Sequence, residues 1–162
     1  MQQAIWVVDI EASGLSPASY PIEVGLVNGQ REYQNLITPA PFWTHWSPRS
    51  EQLHGISREQ LYSEGVSPII VAGELNRVLG TATVFSDHVD WDSFWLQRLF
   101  HCAGIRPTFS IGDITTRLDD HEMEAFAATL DNLNKTSNHI THRALDDARV
   151  IHRALVCALL SS

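Results

Sequence analysis

Asp9-Ile10-Glu11 closes an apolar run, Ile5-Trp6-Val7-Val8, and a turn-like Ser13-Gly14-Leu15-Ser16-Pro17 follows. The run is rich in β-branched and aromatic residues and is bounded by Gly and Pro, which reads as a buried strand. Strand side chains alternate faces, so Asp9 and Glu11 point the same way, about 7 Å apart. Two carboxylates so placed repel each other unless a cation sits between them. Binding of a cation at the end of a buried strand is the chemistry this spacing offers. A solvated strand end carrying two inert acids is the alternative.

The C-terminal segment separates two further acids. Over Arg143 to Leu160, the apolar positions Ala144, Leu145, Ala148, Ile151, Leu155, Ala158 and Leu159 cluster on one helical face at ~100° per residue. Asp146 falls opposite, one turn from Arg149 and two from Arg153, as a solvated ion-pairing residue worth about a few tenths of a kcal/mol. Asp147 falls at the edge of the apolar face. An acid that turns inward needs a partner or a metal. Just upstream, Asn138-His139-Ile140-Thr141-His142 offers two imidazoles. Beside a carboxylate cluster, His is the side chain best suited to move a proton near neutral pH, and spacing alone does not choose between His139 and His142. Asp87, Asp90 and Asp92 lie between a strand and a helix, where first-turn acids favour a helix N-terminus. Asp92, followed by Ser93-Phe94-Trp95-Leu96, belongs to the first turns of a buried helix.

The elements that must position these groups follow from local pattern. Ile5–Val8 and Ile22–Val27 read as strands, the second followed by Asn28-Gly29 as a type I′ hairpin turn and by a third strand over Arg31–Ile37. Pro39–Pro48 is a loop carrying Phe42, Trp43 and Trp46. Those aromatics fit base stacking and core packing equally. Ser57 caps a short helix, and Ser67-Pro68 opens another through Leu79 with Pro at its first position. Thr81–Phe85 is a strand. Asp90 to Ala103 is an amphipathic helix with Phe94, Trp95, Leu99 and Cys102 on its apolar face and Gly104 ending it. Trp91 and Trp95 read as core by helical spacing. Ile111–Leu118 is short and ambiguous, Glu122–Leu133 helical, and Asn134–Asn138 a loop. Strands first, then strands alternating with helices, make an α/β domain with a mixed sheet.

A chain of 162 residues and 18.1 kDa suits one domain over 1–162 with a real core. No signal peptide and no membrane span is expected, and Cys102 and Cys157 read as reduced core thiols of a cytoplasmic protein. The net charge of −8, with 11 Lys and Arg in total, argues against unaided grip on long nucleic acid, which usually requires a basic face.

With these residues in hand the chain resembles the DEDDh 3′–5′ exonucleases, the DnaQ-like branch of the ribonuclease H-like fold, a family that includes RNase T, oligoribonuclease and polymerase proofreading subunits. The first motif stands as Asp9-Ile10-Glu11-Ala12-Ser13-Gly14-Leu15, the next strand as Ile22-Glu23-Val24-Gly25, and the His-Gly-Ile signature as His54-Gly55-Ile56. Trp91-Asp92-Ser93-Phe94-Trp95-Leu96 matches the second catalytic motif. His142-Arg143-Ala144-Leu145-Asp146-Asp147-Ala148 matches the third, which selects His142 over His139 and Asp147 over Asp146. The match runs from about residue 4 to 160 and is poor between Leu118 and Lys135. It departs before the second motif, where Asp87-His88 replaces the family's His-Asn. That change bears on substrate affinity, and the extra acid bears on metal preference.

The resemblance implies a ribonuclease H-like α/β fold, a central mixed sheet flanked by helices. It implies hydrolysis of phosphodiester bonds at single-stranded DNA or RNA 3′ ends, with release of nucleoside 5′-monophosphates. The cofactors would be two divalent cations, Mg²⁺ or Mn²⁺, held by hard carboxylate oxygens. Asp9 would bridge both, Glu11 and Asp147 would complete one site, and Asp92 would serve the other. His142 would be the general base. Ala12, Ser13, Leu15 and His54 would meet the terminal nucleotide, and a homodimer is one expected assembly. A non-catalytic nucleic-acid-binding module that keeps the fold is the competing reading. Presence of all four acids and the His disfavours it. A haloacid-type phosphatase is disfavoured because Asp9-Ile10-Glu11 lacks an Asp-x-Asp pattern.

Overall fold

The computed structural model describes residues 4–136 and 142–161. Five strands form one sheet: β1 (Trp6–Ala12), β2 (Pro21–Val27), β3 (Glu32–Leu36), β4 (Thr83–Ser86) and β5 (Ser110–Asp113). Their order is β3-β2-β1-β4-β5. The β1–β2 and β2–β3 pairs are antiparallel, and β1–β4 and β4–β5 are parallel. This is the mixed α/β sheet of the ribonuclease H-like fold. The helices are α1 (Pro48–His54), α2 (Arg58–Glu64), α3 (Pro68–Leu79), α4 (Val89–Ala103), α5 (Asp120–Thr136) and α6 (Ala144–Leu159), with a 3₁₀ turn over Ile114–Arg117.

The period-2 pleat of β1 divides the core. Trp6, Val8, Ile10 and Ala12 pack on one face with Leu75 of α3 and with Trp95 and Leu99 of α4. Val7 packs on the other with Phe126 of α5 and with Ala148, Ile151 and Leu155 of α6. Asp9 and Glu11 alternate in phase with Val7, so both carboxylates face the α6 side of the sheet. A register irregularity follows at Glu11/Ala12.

Most expected elements form near their expected bounds, and four details differ. The β2–β3 hairpin closes as a four-residue loop through Asn28 N–H donating to the Arg31 carbonyl at 3.1 Å. Gly29 has φ +86°, whereas Asn28 has no positive φ, so the type I′ turn is absent. Instead the Asn28 carboxamide oxygen accepts from the Gln30 and Arg31 N–H groups at 3.0 and 2.8 Å, an Asx turn. Helix α1 was not expected. Ser47 caps it by accepting from Ser50 N–H, with Pro48 at its first turn, the same Ser-Pro signal that opens α3. Helix α4 buries Trp95, Leu96, Leu99, Phe100 and Ala103, so its inward face lies to one side of Phe94 and Cys102, which are only half-buried. Neither cysteine is a core thiol: Cys102 is half-buried and Cys157 is exposed, and both are free. The helix turns Cys157 outward between buried Leu155 and Ala158. Among the described residues, no helix is long and apolar enough to cross a membrane.

Candidate active site

Four acids and one imidazole that are far apart in sequence meet at one cavity of about 600 Å³, walled by Asp9, Glu11, Asp92, His142 and Asp147 and also by Asp87, His88, Leu130, Asn134 and Trp91. Strand β1 delivers Asp9 and Glu11. The first turn of α6 delivers Asp147, and the first turn of α4 delivers Asp92. The ligand atoms of Glu11, His142 and Asp147 lie within 4.8 Å of one another, as do those of Asp9, Asp87 and Asp92. His139 lies outside the described residues.

Helix α6 is seated on β2 by sterics and charge together. Gly25 pairs with Asp9 across the β1–β2 ladder. A Cβ on Gly25 would lie 2.3 Å from Leu145 N and 2.4 Å from Ala144 C, so only glycine lets the helix start this close to the sheet. Glu23 pairs with Glu11 in the same ladder and is fully buried. Its Oε1 accepts from Ala144 N–H at 2.8 Å, its Oε2 from Arg143 Nη2 at 2.6 Å and from Gln34 Nε2 at 3.0 Å. One carboxylate thus satisfies an orphan donor of the helix N-terminus and fixes the residue beside His142. His142 itself has φ 63°, a left-handed conformation uncommon for a residue with a Cβ. Glu23→Gln keeps the size and removes the charge partner of Arg143. It should lower stability by about 2 kcal/mol and Tm by roughly 4–8 °C. Calorimetric melting of the variant checks this, and an unchanged Tm would show that the pair does not hold α6.

Asp92 is fixed by a residue that sequence inspection did not single out. Ser86, at the end of β4 and fully buried, donates its hydroxyl to Asp92 Oδ2 at 2.6 Å and accepts His88 N–H at 2.9 Å. Its only sequence signal is its place between the strand and the Asp92 helix.

The electrostatics are those of crowded acids. Burial first, then the charges of Asp92, Glu11, Asp147 and Asp87, push the Asp9 carboxyl well above its usual range. Glu11 is pushed up to about 8, by burial and then by Asp147 and Glu23. Asp92 is pushed up to about 7, chiefly by burial, with the Ser86 hydrogen bond opposing. Asp9 Oδ2 is sealed from solvent and makes no hydrogen bond. A buried, unpartnered carboxylate oxygen beside four other acids fits the coordination of hard divalent cations.

Of the four expected substrate contacts, only Leu15 lines the cavity, and it is 72% exposed. Ala12 and Ser13 are buried. Ser13 spends its groups inside the fold: its Oγ lies 2.9 Å from His45 Nδ1 and accepts Tyr20 N–H, and its backbone pairs with Tyr20 and Ser47. His54 is also buried, with Nδ1 accepting Ile56 N–H at 3.1 Å, and burial pushes its pKa down. The Ser13 and His54 side chains build the loops behind the site, and the Ala12 side chain ends β1 in the core. The aromatics divide as well. Trp43 is buried and stacked on Tyr20, Trp46 donates to Glu51 and sits edge-on to His54, and Phe42 is 67% exposed. Trp91 is not core: it stacks on Trp95 with centroids 5.2 Å apart and turns into the cavity wall. Asn134 lies in α5, beyond the expected end of that helix, and lines the same wall.

No protein-family model matches the chain, and no curated protein does. Solved structures do. Zinc-bound E. coli exonuclease I with single-stranded DNA matches with TM-score 0.78 at 15% identity, over 99% of this chain and 41% of that one. The same enzyme with a dA16 oligonucleotide matches with TM-score 0.72 at 16% identity, over 94% and 40%. With a dT13 oligonucleotide it matches with TM-score 0.74 at 14% identity, over 98% and 41%. The chain spans about two-fifths of the length of these structures, and at such identities the likeness is one of fold. In fold, the chain resembles exonuclease I, a DnaQ-like 3′–5′ exonuclease.

Proposed function

We propose that the chain is a metal-dependent 3′–5′ exonuclease that hydrolyses phosphodiester bonds at single-stranded DNA or RNA ends and releases nucleoside 5′-monophosphates. One observation carries the reading: Asp9, Glu11, Asp92, His142 and Asp147 converge on one cavity in a fold shared with exonuclease I, a protein solved with bound single-stranded DNA. Asp9, Glu11, Asp92 and Asp147 would hold two divalent cations, Mg²⁺ or Mn²⁺. When bound, such cations neutralise charge on the phosphate, acidify a water and stabilise the departing 3′ oxygen. His142, exposed at the cavity mouth, takes the proton from the attacking water on a ring nitrogen. Leu15 at the rim wedges against the last base. Trp91, backed by Trp95, presents an aromatic wall on which stacking is worth ~1–3 kcal/mol per base.

Digestion of matched end-labelled RNA and DNA oligomers with Mg²⁺ and with Mn²⁺ tests the proposal. A laddered loss from the 3′ end supports it and reads out the sugar preference. Internal cuts, or no cleavage with either metal, would sink it. His142→Ala should cut turnover about 10²–10⁴-fold while Mn²⁺ affinity stays nearly unchanged. If His139→Ala gave that phenotype instead, the base would be misplaced.

With net charge −8, the chain has little with which to hold a long polyanion. It acts distributively on short or single-stranded ends or depends on a partner to deliver them, and a homodimer is the expected assembly although each copy has few Lys or Arg to lend. Sedimentation combined with a cold-competitor trap checks both parts. A monomer that digests a long strand to completion after the trap is added would defeat them together.

A further inference from the structure

We propose that Asp87 is a third carboxylate ligand at the Asp9–Asp92 subsite, so that this subsite holds its divalent cation before any nucleic acid arrives. The inference rests on reading the cavity as a metal site. It goes beyond that reading, because Asp87 stands where the DEDDh pattern carries a His, and none of the four motif acids accounts for it.

The geometry supplies the first argument. One oxygen each from Asp9, Asp87 and Asp92 lies within 4.8 Å of the other two. Metal–oxygen distances of about 2.1–2.5 Å let one cation bridge ligands up to about 5 Å apart. The second argument is the state of the oxygens. Asp9 Oδ2 is buried without a hydrogen bond, while Asp92 Oδ2 takes the Ser86 hydroxyl, which aims that carboxylate. Asp87 Oδ1 lies 3.1 Å from His88 Nδ1. That Oδ1 is buried and, like Asp9 Oδ2, makes no hydrogen bond, which leaves it to a cation. Asp87 is not needed by the turn itself, because Ser86 Oγ already takes the His88 N–H.

Charge supplies the third argument. Among the described residues, no Lys or Arg lines the cavity. A third acid added to a buried pair costs stability unless a cation offsets it. Each carboxylate ligand also replaces a metal-bound water with a charged oxygen, and affinity rises with ligand charge count. Two carboxylates leave an ion dependent on substrate phosphate to complete its shell. Three make it resident.

Titration calorimetry of the whole, nucleic-acid-free chain with Mn²⁺ decides the matter. Two binding events are expected for the unaltered chain. Asp87→Asn should weaken one of them about tenfold or more and leave the other within about twofold, with Asp146→Asn behaving like the unaltered chain. Melting without metal supplies an independent readout: Asp87→Asn should melt higher, because a repulsive charge is gone. Should Asp87→Asn fail to fold, Asp87→Ser against Asp87→Glu makes the same comparison, with binding lost by Ser and kept by Glu. Unchanged binding in Asp87→Asn, or only one Mn²⁺ in the unaltered chain, overturns the proposal and leaves the exonuclease reading standing. Absence of any Mn²⁺ or Mg²⁺ binding sinks both.

Discussion

Asp147→Asn is expected to abolish hydrolysis, with a loss of ~10³-fold or more, while Asp146→Asn keeps most of it. The two acids are adjacent in sequence and isosteric changes are made at both, so the contrast isolates position. Asp147 lies one turn before buried Ile151 on α6 and lines the cavity, with a ligand atom within 4.8 Å of Glu11 and His142. Asp146 turns away. Its Oδ1 accepts from Arg149 Nη1 at 3.0 Å, and Arg149 also grips Glu32. An exposed pair of that kind is worth about 0.2–1 kcal/mol. Removing a carboxylate that holds a catalytic cation removes several kcal/mol of transition-state stabilisation, and each 1.36 kcal/mol is about tenfold in rate. Asp9→Asn should match Asp147→Asn. Release of labelled mononucleotide is the measurement, with far-ultraviolet circular dichroism showing that each variant is folded. Equal losses at Asp146 and Asp147 would refute the assignment of faces on α6.

That contrast was legible because it rests on a single periodicity. Seven apolar residues on one helix set the inward direction, and the buried set Ala144, Leu145, Ala148, Ile151, Ala154, Leu155 and Ala158 nearly repeats them. The same logic, with period 2, placed Asp9 and Glu11 on one face of β1. It was less accurate on α4, whose inward face is set by two contacts at once, with α3 and with the sheet. Phe94 and Cys102 fell to the margin for that reason.

Other features were hidden because no local pattern encodes them. The roles of Ser86, and of Gly25 and Glu23 in seating α6, depend on side chains 6 to 121 residues apart in sequence. The motif match named Ser13 and His54 as substrate contacts, but a motif records which residues recur and not which way they point. Both side chains take part in loop packing, Ser13 through Oγ and His54 through Nδ1, while His54 Nε2 makes no hydrogen bond. Asp87 is the reverse case. The pattern marked it as a departure, and only the fold shows that the departing residue reaches the same cavity as the acids that conform.

Without divalent metal, stability is expected to fall as pH rises from about 4.5 to about 8, and saturating Mg²⁺ or Mn²⁺ should reverse most of that fall. Glu11 is pushed up to about 8 from an ordinary 4.5, and Asp92 to about 7 from 3.8. Below both ordinary values each carboxyl is protonated in the folded and unfolded chain, and its favourable contribution is whole. Between the ordinary and the raised values the unfolded chain releases its proton while the folded chain keeps it, so the unfolded state gains. The contribution is lost as pH climbs through about 7 for Asp92 and about 8 for Glu11. A loss on the order of 3 kcal/mol corresponds to a Tm drop of roughly 6–12 °C for a chain of this size. Metal acts with the opposite slope, because its ligands must be ionised to bind it and its affinity grows with pH. At about 100-fold over Kd it adds ~2.7 kcal/mol, so the metal-induced rise in Tm should be small at pH 5 and about 5–10 °C at pH 8. Differential scanning calorimetry in chelator and in saturating Mn²⁺, across that range, measures both slopes. A flat profile in chelator would mean that the acids do not crowd as the fold places them. A metal-induced rise equal at pH 5 and pH 8 would mean that the cations bind elsewhere.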